Sequence, residues 1–146
     1  MKWKSLELTG WGRAVRARSE AARPERLSEV FPLTQTNFTG GISIYGGGRS
    51  YGDSALNANG HTCLTQRLDR VLGFDETTGL VDVEPGVTFP RLLDVFLPRG
   101  WLFPVAPGTG LVTIGGAVAN DIHGKNHEHD GTFGQHVIEL DLLTPA

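Results

Sequence analysis

The 146-residue sequence contains a single cysteine, which excludes an internal disulfide. Because Cys63 has no second thiol to pair with, the fold does not depend on an oxidising compartment. Basic residues are also few: 13 Lys and Arg stand against 16 Asp and Glu, for a formal net charge of -3. A nucleic-acid partner requires a basic face, so this balance argues against one. The Arg-rich stretch from Arg13 to Arg26 is predicted to be a solvated strand and helix start at a domain edge.

Long apolar runs are missing as well. No stretch of about 18 uncharged apolar residues occurs, so no transmembrane segment is predicted. The first seven residues carry charges where a secretory signal needs an apolar core, so we expect no signal peptide. The compartment stays open, with the cytoplasm as the default expectation.

A chain of this length fits one domain, and its 20 Gly and 8 Pro indicate prominent loops. Apolar residues at helical spacing predict helices over residues 24–31, ended near Pro32, and 88–97, with Thr88 as the N-cap. A small-residue helix start is expected at residues 117–119. Alternating, β-prone segments predict strands at residues 5–9, 42–45, 61–65, 70–74, 80–84 and 136–143. The strands at 70–74 and 80–84 are predicted to form a hairpin.

The strongest local feature is the segment Gly46–Asp53, which directly follows a predicted strand. Three consecutive glycines lack Cβ atoms, so backbone N–H groups can converge on an anion and a phosphate can approach closely. Ser50 and Arg49 offer a hydroxyl and a guanidinium to the same ligand. A glycine-rich hairpin with ordinary surface residues is the alternative for this segment alone. The dinucleotide fingerprint Gly-x-Gly-x-x-Gly fails at Tyr51, and no P-loop is present.

A second segment of small residues runs from Pro107 to Asn120. Gly115 and Gly116, followed by alanines, leave room for a flat or bulky group against the backbone. N–H groups at the start of the helix are expected to meet a pyrophosphate. Close packing of this helix on a sheet is the alternative, and for this segment taken by itself it is the better one.

Acids, bases and hydrogen-bonding groups crowd residues 121–130. A metal hydrolase using His123, His127 and His129 is a third hypothesis, but the familiar run His-x-His-x-Asp-His fails at Gly131 and Thr132. A solvated polar loop is predicted for residues 127–130. His123 and Lys125 differ from these, because they directly follow the segment that would hold a ligand.

Together these blocks resemble the PCMH-type FAD-binding domain of the vanillyl-alcohol oxidase superfamily. The likeness extends in register from about Trp3 to the last residue. The segments that carry it are Gly48-Arg49-Ser50-Tyr51-Gly52-Asp53, Pro107-Gly108-Thr109, Val112-Thr113-Ile114-Gly115-Gly116-Ala117, Asp121-Ile122-His123-Gly124-Lys125-Asn126-His127, and residues 131–136 with Leu142-Leu143-Thr144.

This resemblance implies an α+β fold, the N-terminal part of a two-subdomain FAD-binding domain with mixed sheets flanked by helices, over residues 1–146. FAD would lie between the subdomains, with the first glycine segment holding its pyrophosphate. The residues implied to line the FAD site are Ile44, Tyr45, Gly46, Gly47, Gly48, Arg49, Ser50, Tyr51, Gly52, Asp53, Ser54, Gly108, Thr113, Ile114, Gly115, Gly116, Asn120, Asp121, Ile122 and His123.

The resemblance also implies a chemistry. Members oxidise a carbon that bears a hydroxyl, usually on a sugar or sugar-like small molecule, while a nearby base receives the hydroxyl proton. His123 and Lys125 are the predicted catalytic residues, and Lys125 would steer an anionic, phosphate-bearing substrate. Several members bind the flavin covalently through a His before the Ser of the first block. Arg49 occupies that position here, so a non-covalent FAD is predicted.

Members of the superfamily continue into further FAD-binding structure and a substrate domain. We therefore expect the chain alone to bind the adenosine-pyrophosphate half of FAD weakly and not to turn over substrate. The alternative function is a non-catalytic nucleotide- or partner-binding module that a second chain completes. The resemblance is compatible with peripheral membrane association, and it leaves the substrate, the electron acceptor and the oligomeric state open.

Overall fold

The computed structural model describes residues 1–144, which form two compact units. One unit comprises Met1–Leu68 with residues 142–144, and the other comprises Asp69–Asp141. Both contain strands and helices, so the predicted α+β class is confirmed.

The first unit contains a mixed four-stranded sheet. Its strand order is β1-β2-β4-β3; β1 and β2 are antiparallel, whereas β4 is parallel to both β2 and β3. The four strands are β1 (Trp3–Thr9), β2 (Arg16–Ala22), β3 (Ile42–Tyr45) and β4 (His61–Leu64). Three of them match predicted strands within two residues at each end.

Strand β2 confirms the strand predicted in the Arg-rich stretch, and its arginines are exposed. Within the sheet it lies between β1 and β4. Its residues alternate between exposed and buried, with Ala17, Ser19 and Ala21 turned inward. The arginines dominate the composition of the segment, yet they occupy only the solvent-facing positions of a period-two pattern.

Three hydroxyl side chains form hydrogen bonds with one another between neighbouring strands of this sheet. Thr62 of β4 is fully buried, and its Oγ1 lies 2.7 Å from Ser19 Oγ and 3.0 Å from Ser43 Oγ. Ser19 Oγ also lies 2.9 Å from the carbonyl oxygen of Gly60. Each buried hydroxyl therefore has a partner, which buried polar groups require.

The predicted helix over residues 24–31 is shorter and begins later. A 3-10 turn forms at Leu27–Glu29, and helix α1 follows at Phe31–Thr34. Pro32 lies in the first turn of α1 and does not end a helix. Proline is tolerated there because the N–H groups of a first turn have no partner within the helix.

The second unit combines a hairpin with a helix. Strands β5 (Val71–Phe74) and β6 (Val81–Val83) pair antiparallel, which confirms the predicted hairpin. Helix α2 (Phe89–Phe96) confirms the helix predicted at residues 88–97. Thr88 occupies its N-cap position, but its side chain makes no capping bond. The core contains Val87, Leu92 and Phe96, with Val71, Phe74, Val83, Val95, Trp101, Phe103 and Ile114 packed against it.

Two further predictions fail near the end of the second unit. Residues 127–130, predicted as a loop, form the short exposed helix α4 (His127–Asp130). The strand predicted at residues 136–143 is absent, because residues 137–144 pair with no strand in the described part of the chain and a strand needs a partner for its hydrogen bonds. Ile138 and Leu142 are consequently exposed.

Among residues 1–144, no helix is long and apolar enough to cross a membrane.

A buried carboxylate ties the hairpin to the turn that follows it. Glu84 is 1% exposed and accepts bonds from the backbone N (2.9 Å) and Nε (3.0 Å) of Arg70, while Glu84 N donates to the Arg70 carbonyl at 3.0 Å. The Arg70 guanidinium holds the pKa of the Glu84 carboxyl below its usual range. The pair fixes the start of the turn at residues 85–87.

Replacing Glu84 by Gln should destabilise the chain. The substitution removes the charge-assisted bonds to Arg70, and we expect a loss of about 1–3 kcal/mol in urea unfolding, limited because Arg70 is half-exposed. Since folding lowers the pKa of Glu84, its stabilising contribution exists above the usual carboxyl range and disappears as the pH falls through the folded-state pKa. Glu76→Gln, on the exposed hairpin turn, is the control. Equal unfolding midpoints for both variants would contradict this account.

The lone cysteine should make stability fall in alkali. Burial raises the pKa of the Cys63 thiol from 9.0 to about 11. Between these values the unfolded chain loses the thiol proton while the folded chain keeps it, so the free energy of unfolding falls, by up to about 2 kcal/mol. Urea unfolding between pH 8 and 11 should show a steeper decline for the wild type than for Cys63→Ala. Parallel declines would show that the thiol does not contribute.

Candidate functional site

Strand β3 leads directly into the glycine segment, residues 46–53, here called the glycine loop. Gly48 has φ +64° and Gly52 has φ +59°, in the left-handed region that favours glycine. At Gly48 a Cβ would also lie 2.2 Å from the hydroxyl oxygen of Tyr45. The backbone path of this loop therefore excludes a side chain at Gly48 for two separate reasons.

Four of the eight carbonyl groups of the glycine loop accept hydrogen bonds from the protein. Gln66 Nε2 donates to the Gly46 carbonyl at 2.7 Å, Trp11 N donates to that of Ser50 at 2.9 Å, and Leu56 N donates to that of Asp53 at 2.7 Å. A fourth carbonyl, that of Tyr51, lies 2.9 Å from a serine hydroxyl. These bonds fix the orientation of four peptide groups, one at the start of the loop and three in its second half.

The N–H groups of the same loop are not engaged. Within residues 1–144, no backbone N–H of residues 47–53 donates a hydrogen bond. Residues 46–50 are half-buried except for the buried Gly48, and residues 51–54 are exposed. Buried backbone donors are rarely left without an acceptor, so a row of unpaired donors in a glycine-rich turn is typical of an anion-binding site.

Arg49 contributes the positive charge of the loop. Its Nε atom is buried and has no hydrogen-bond partner in the described part of the chain. No carboxylate lies within 4.0 Å of its guanidinium among residues 1–144. The charge is therefore not neutralised by the protein, and Arg49 can bind an anion together with the unpaired N–H groups.

The second segment behaves differently. Helix α3 (Ile114–Ala119) begins after Thr113, whose Oγ1 accepts from Gly116 N at 3.2 Å. Ile114 N donates to the Val87 carbonyl at 2.7 Å, and Gly115 N donates to that of Pro85 at 2.8 Å. These N–H groups already have acceptors within the protein, which favours the packing alternative for this segment, and their contact with a pyrophosphate stays a prediction.

Close packing accounts for Gly115. A Cβ there would lie 2.8 Å from Cβ of Pro85 and 3.1 Å from its carbonyl oxygen. The contact is with the turn at residues 85–87 and not with a sheet. Gly108 contrasts with it: the residue is exposed, and a Cβ there would meet nothing within 4 Å. The protein itself therefore does not require glycine at position 108.

The third segment is a loop held at several points. Asp121 has φ +41°, and its Oδ1 accepts from Gly134 N at 2.8 Å. Phe133 N donates to the Ile122 carbonyl at 2.8 Å, and Asn126 Nδ2 donates to that of Pro104 at 2.8 Å. These contacts fix the backbone on both sides of the two predicted catalytic side chains.

His123 and Lys125 are both exposed and flank the buried Gly124. A Cβ on Gly124 would lie 2.6 Å from the Ala106 carbonyl oxygen, so the loop approaches its neighbour closely here. Both side chains line an open groove of about 720 Å³. The other residues that line it are Leu102, Phe103, Pro104, Ala106, Pro107, Gly108, Gly124, Asn126 and His127.

The structure thus groups the predicted site residues in part. Ile44 to Ser54 belong to the first unit, while Gly108, His123 and Lys125 share the groove of the second. Thr113 to Gly116 and Asn120 to Ile122 do not line that groove. Within residues 1–144, no three His, Cys, Asp or Glu side chains are grouped so as to hold a metal ion.

Sequence reasoning missed two contacts of the glycine loop. The turn at Gly10-Trp11-Gly12 was recognisable from its glycines, but no local pattern connects it to a loop some 40 residues later. Gln66 gives no signal at all, because a single polar residue after a strand is typical of any loop. Both depend on long-range pairing of strands.

Comparisons with known proteins agree with this geometry. A family model described as FAD binding domain matches residues 27–146. The chain is 41% identical over 140 residues to decaprenylphosphoryl-beta-D-ribose oxidase of Mycolicibacterium smegmatis, an alignment that includes 94% of this chain and 30% of that protein. The sequence blocks quoted above also predict a likeness to this oxidase within the superfamily, and the alignment confirms it.

Two solved structures share the fold. An alkyldihydroxyacetonephosphate synthase superimposes with a TM-score of 0.71 at 18% identity, over 88% of this chain and 29% of its own. Cholesterol oxidase from B. sterolicum superimposes with a TM-score of 0.70 at 12% identity, over 84% of this chain and 25% of its own. The chain therefore spans less than a third of the proteins it matches.

The family match includes the glycine loop, helix α3 and the loop that carries His123. The cofactor of this family is FAD, as the resemblance to the vanillyl-alcohol oxidase superfamily implies. The resemblance to that superfamily is confirmed. The chain belongs to the FAD binding domain family of FAD-linked oxidoreductases.

Proposed function

We propose that this chain provides the pyrophosphate-binding part of a flavin-dependent oxidoreductase that oxidises the C–OH group of a sugar-type or other small alcohol to a carbonyl. The observation that carries the proposal is the row of unpaired N–H groups at residues 47–53. Bound FAD supplies the capacity to accept a hydride from the substrate carbon. The remaining roles belong to the side chains and backbone of this chain.

The glycine loop fits a diphosphate in both charge and hydrogen bonding. Several N–H groups in succession satisfy acceptor oxygens without a side chain in the way, and the left-handed glycines permit this path. Arg49 adds a guanidinium that no carboxylate of residues 1–144 neutralises. Charge-assisted bonds of this kind are about twice as strong as neutral ones.

Attachment of the flavin is proposed to be non-covalent. The loop position at which some family members carry the linking His is Arg49 in this chain. A guanidinium does not form that bond, and here it is better suited to bind phosphate oxygens. FAD would then be held by hydrogen bonds and charge alone.

His123 and Lys125 are proposed to contact the substrate from the groove of the second unit. His123 is the candidate to receive the hydroxyl proton, since imidazole is the side chain that most often transfers protons in catalysis. Its ring centroid lies 5.4 Å from that of His127. Lys125, exposed beside it, would attract an anionic, phosphate-bearing substrate, and the apolar residues Leu102 and Phe103 would limit the access of water.

The other residues predicted to line the FAD site are proposed to leave space for the cofactor and not to donate hydrogen bonds to it. The N–H groups of Ile114, Gly115 and Gly116 are already bonded. Small side chains in α3 nevertheless leave a surface on which a flat ring can pack. The Asn120 amide already donates to the Gly116 carbonyl at 2.9 Å, so it is pre-positioned at the end of this helix.

A module without catalysis, completed by a second chain, is the other candidate. The observation that favours it is the exposure of Ile138 (77%) and Leu142 (75%) in the segment that pairs with no strand among the described residues. In either case we propose that the chain alone binds FAD but does not oxidise substrate. Dye reduction by the purified chain with an alcohol would contradict that part of the proposal.

Incubation with FAD should give the purified chain a shifted, structured flavin absorption band. A titration at 450 nm, with riboflavin in parallel, separates recognition of the diphosphate from recognition of the ring, and riboflavin should bind much more weakly. Acid precipitation of the complex should leave the yellow flavin in the supernatant. Flavin in the pellet would overturn non-covalent binding, and an unchanged spectrum during titration would overturn the proposed function.

Adding one methyl group at selected glycines should test the loop. Gly48→Ala combines a left-handed φ with a clash, so we expect at least a tenfold loss of FAD affinity. Gly52→Ala has the φ penalty alone, of about 1–2 kcal/mol, with open space around the methyl. Gly12→Ala is the matched control, since nothing lies within 4 Å of its Cβ. Wild-type affinity in Gly48→Ala would show that the loop conformation is not needed.

A further inference from the structure

The N-terminal turn, residues 9–13, contacts both the end of strand β3 and the glycine loop. Tyr45 Oη donates to the Thr9 carbonyl at 2.8 Å, and Trp11 N donates to that of Ser50 at 2.9 Å. Between them, a Cβ on Gly10 would lie 2.5 Å from the Gly52 carbonyl oxygen. The turn precedes residue 27, where the family match begins.

Trp11 also contacts the charged side chain of the loop. The guanidinium carbon of Arg49 lies 5.4 Å from the centroid of the Trp11 ring, within the range of a cation–π interaction. Trp11 is 47% exposed, so a large part of its indole remains open to solvent. An aromatic face orients a guanidinium without neutralising it, whereas a carboxylate would cancel its charge.

We propose that Trp11 is a positioning residue for diphosphate recognition. It holds the Arg49 guanidinium so that the charge acts on the same anion as the unpaired N–H groups of residues 47–53. This inference rests on the proposed function. It also assigns the N-terminal turn a part in ligand selection, namely a preference for a diphosphate over a nucleoside without phosphate.

A purely structural role for Trp11 makes different predictions. If the indole only supported the turn, its loss would lower stability and weaken every ligand, whether or not Arg49 were present. A positioning role acts through the charge of Arg49. The effect of Trp11 must then disappear when Arg49 is replaced by an uncharged residue of similar length, which a double-mutant cycle measures.

The experiment uses the full chain and ADP as the diphosphate probe, with adenosine as the uncharged comparison. Isothermal titration would compare the wild type, Trp11→Leu, Trp11→Phe, Arg49→Met and the double variant Trp11→Leu/Arg49→Met, each checked by urea unfolding. Arg23→Met, an exposed arginine in the same unit, controls for the general loss of one positive charge. Titrations at low and moderate salt report the contribution of charge.

The expected result has four parts. Trp11→Leu weakens ADP about threefold to tenfold, in line with a cation–π contact at a partly exposed site. Trp11→Phe retains most of the affinity, because an aromatic face is still present. In the Arg49→Met background, Trp11→Leu has no further effect on ADP. Adenosine affinity and the Arg23→Met variant stay at wild-type values.

Two results would overturn the inference while leaving the proposed function intact. One is wild-type ADP affinity in Trp11→Leu; the other is an equal loss from Trp11→Leu with and without Arg49. If Trp11→Leu does not fold, Trp11→Met in both backgrounds decides the question, because it also removes the aromatic face: a loss confined to the Arg49 background supports positioning, and an equal loss in both, or no loss, overturns it. Failure of the wild type to bind either ADP or FAD would overturn the proposed function and this inference together.

Discussion

The structure depends on an asymmetry in the hydrogen bonding of one loop. Between Gly46 and Asp53, four carbonyl groups accept hydrogen bonds, while no N–H of residues 47–53 donates within the described residues. The four bonded peptide groups hold the course of the loop and leave its donors open to a ligand. A flexible glycine segment thereby becomes a preorganised anion site, and Arg49 supplies its charge.

Glycine has a different role in the second unit. In α3, glycine serves close packing, because Gly115 abuts Pro85 and its N–H is already bonded. That contact depends on the turn at residues 85–87, which the buried Glu84 and its partner Arg70 hold in place. These contacts therefore stabilise the unit that carries the exposed His123 and Lys125.

Local patterns predicted much of this fold. The run of glycines after β3, the hairpin of β5 and β6, and helix α2 each follow from periodicity and turn residues that act over a few positions. The strand predicted at residues 136–143 fails because a strand needs a partner that sequence alone does not reveal. Similarly, the bonded state of the α3 donors depends on carbonyls of Pro85 and Val87, about 30 residues earlier. The contact of Trp11 with Arg49 is likewise invisible to any local window.

The central claim is that unpaired backbone donors at residues 47–53 bind a diphosphate. Titration of the ¹⁵N-labelled chain with ADP, followed by amide NMR, observes those donors directly. The account predicts that the largest shifts in the first unit, with downfield movement of the protons, fall on the amides of residues 47–53. Saturable ADP binding that leaves these seven amides unchanged would contradict it.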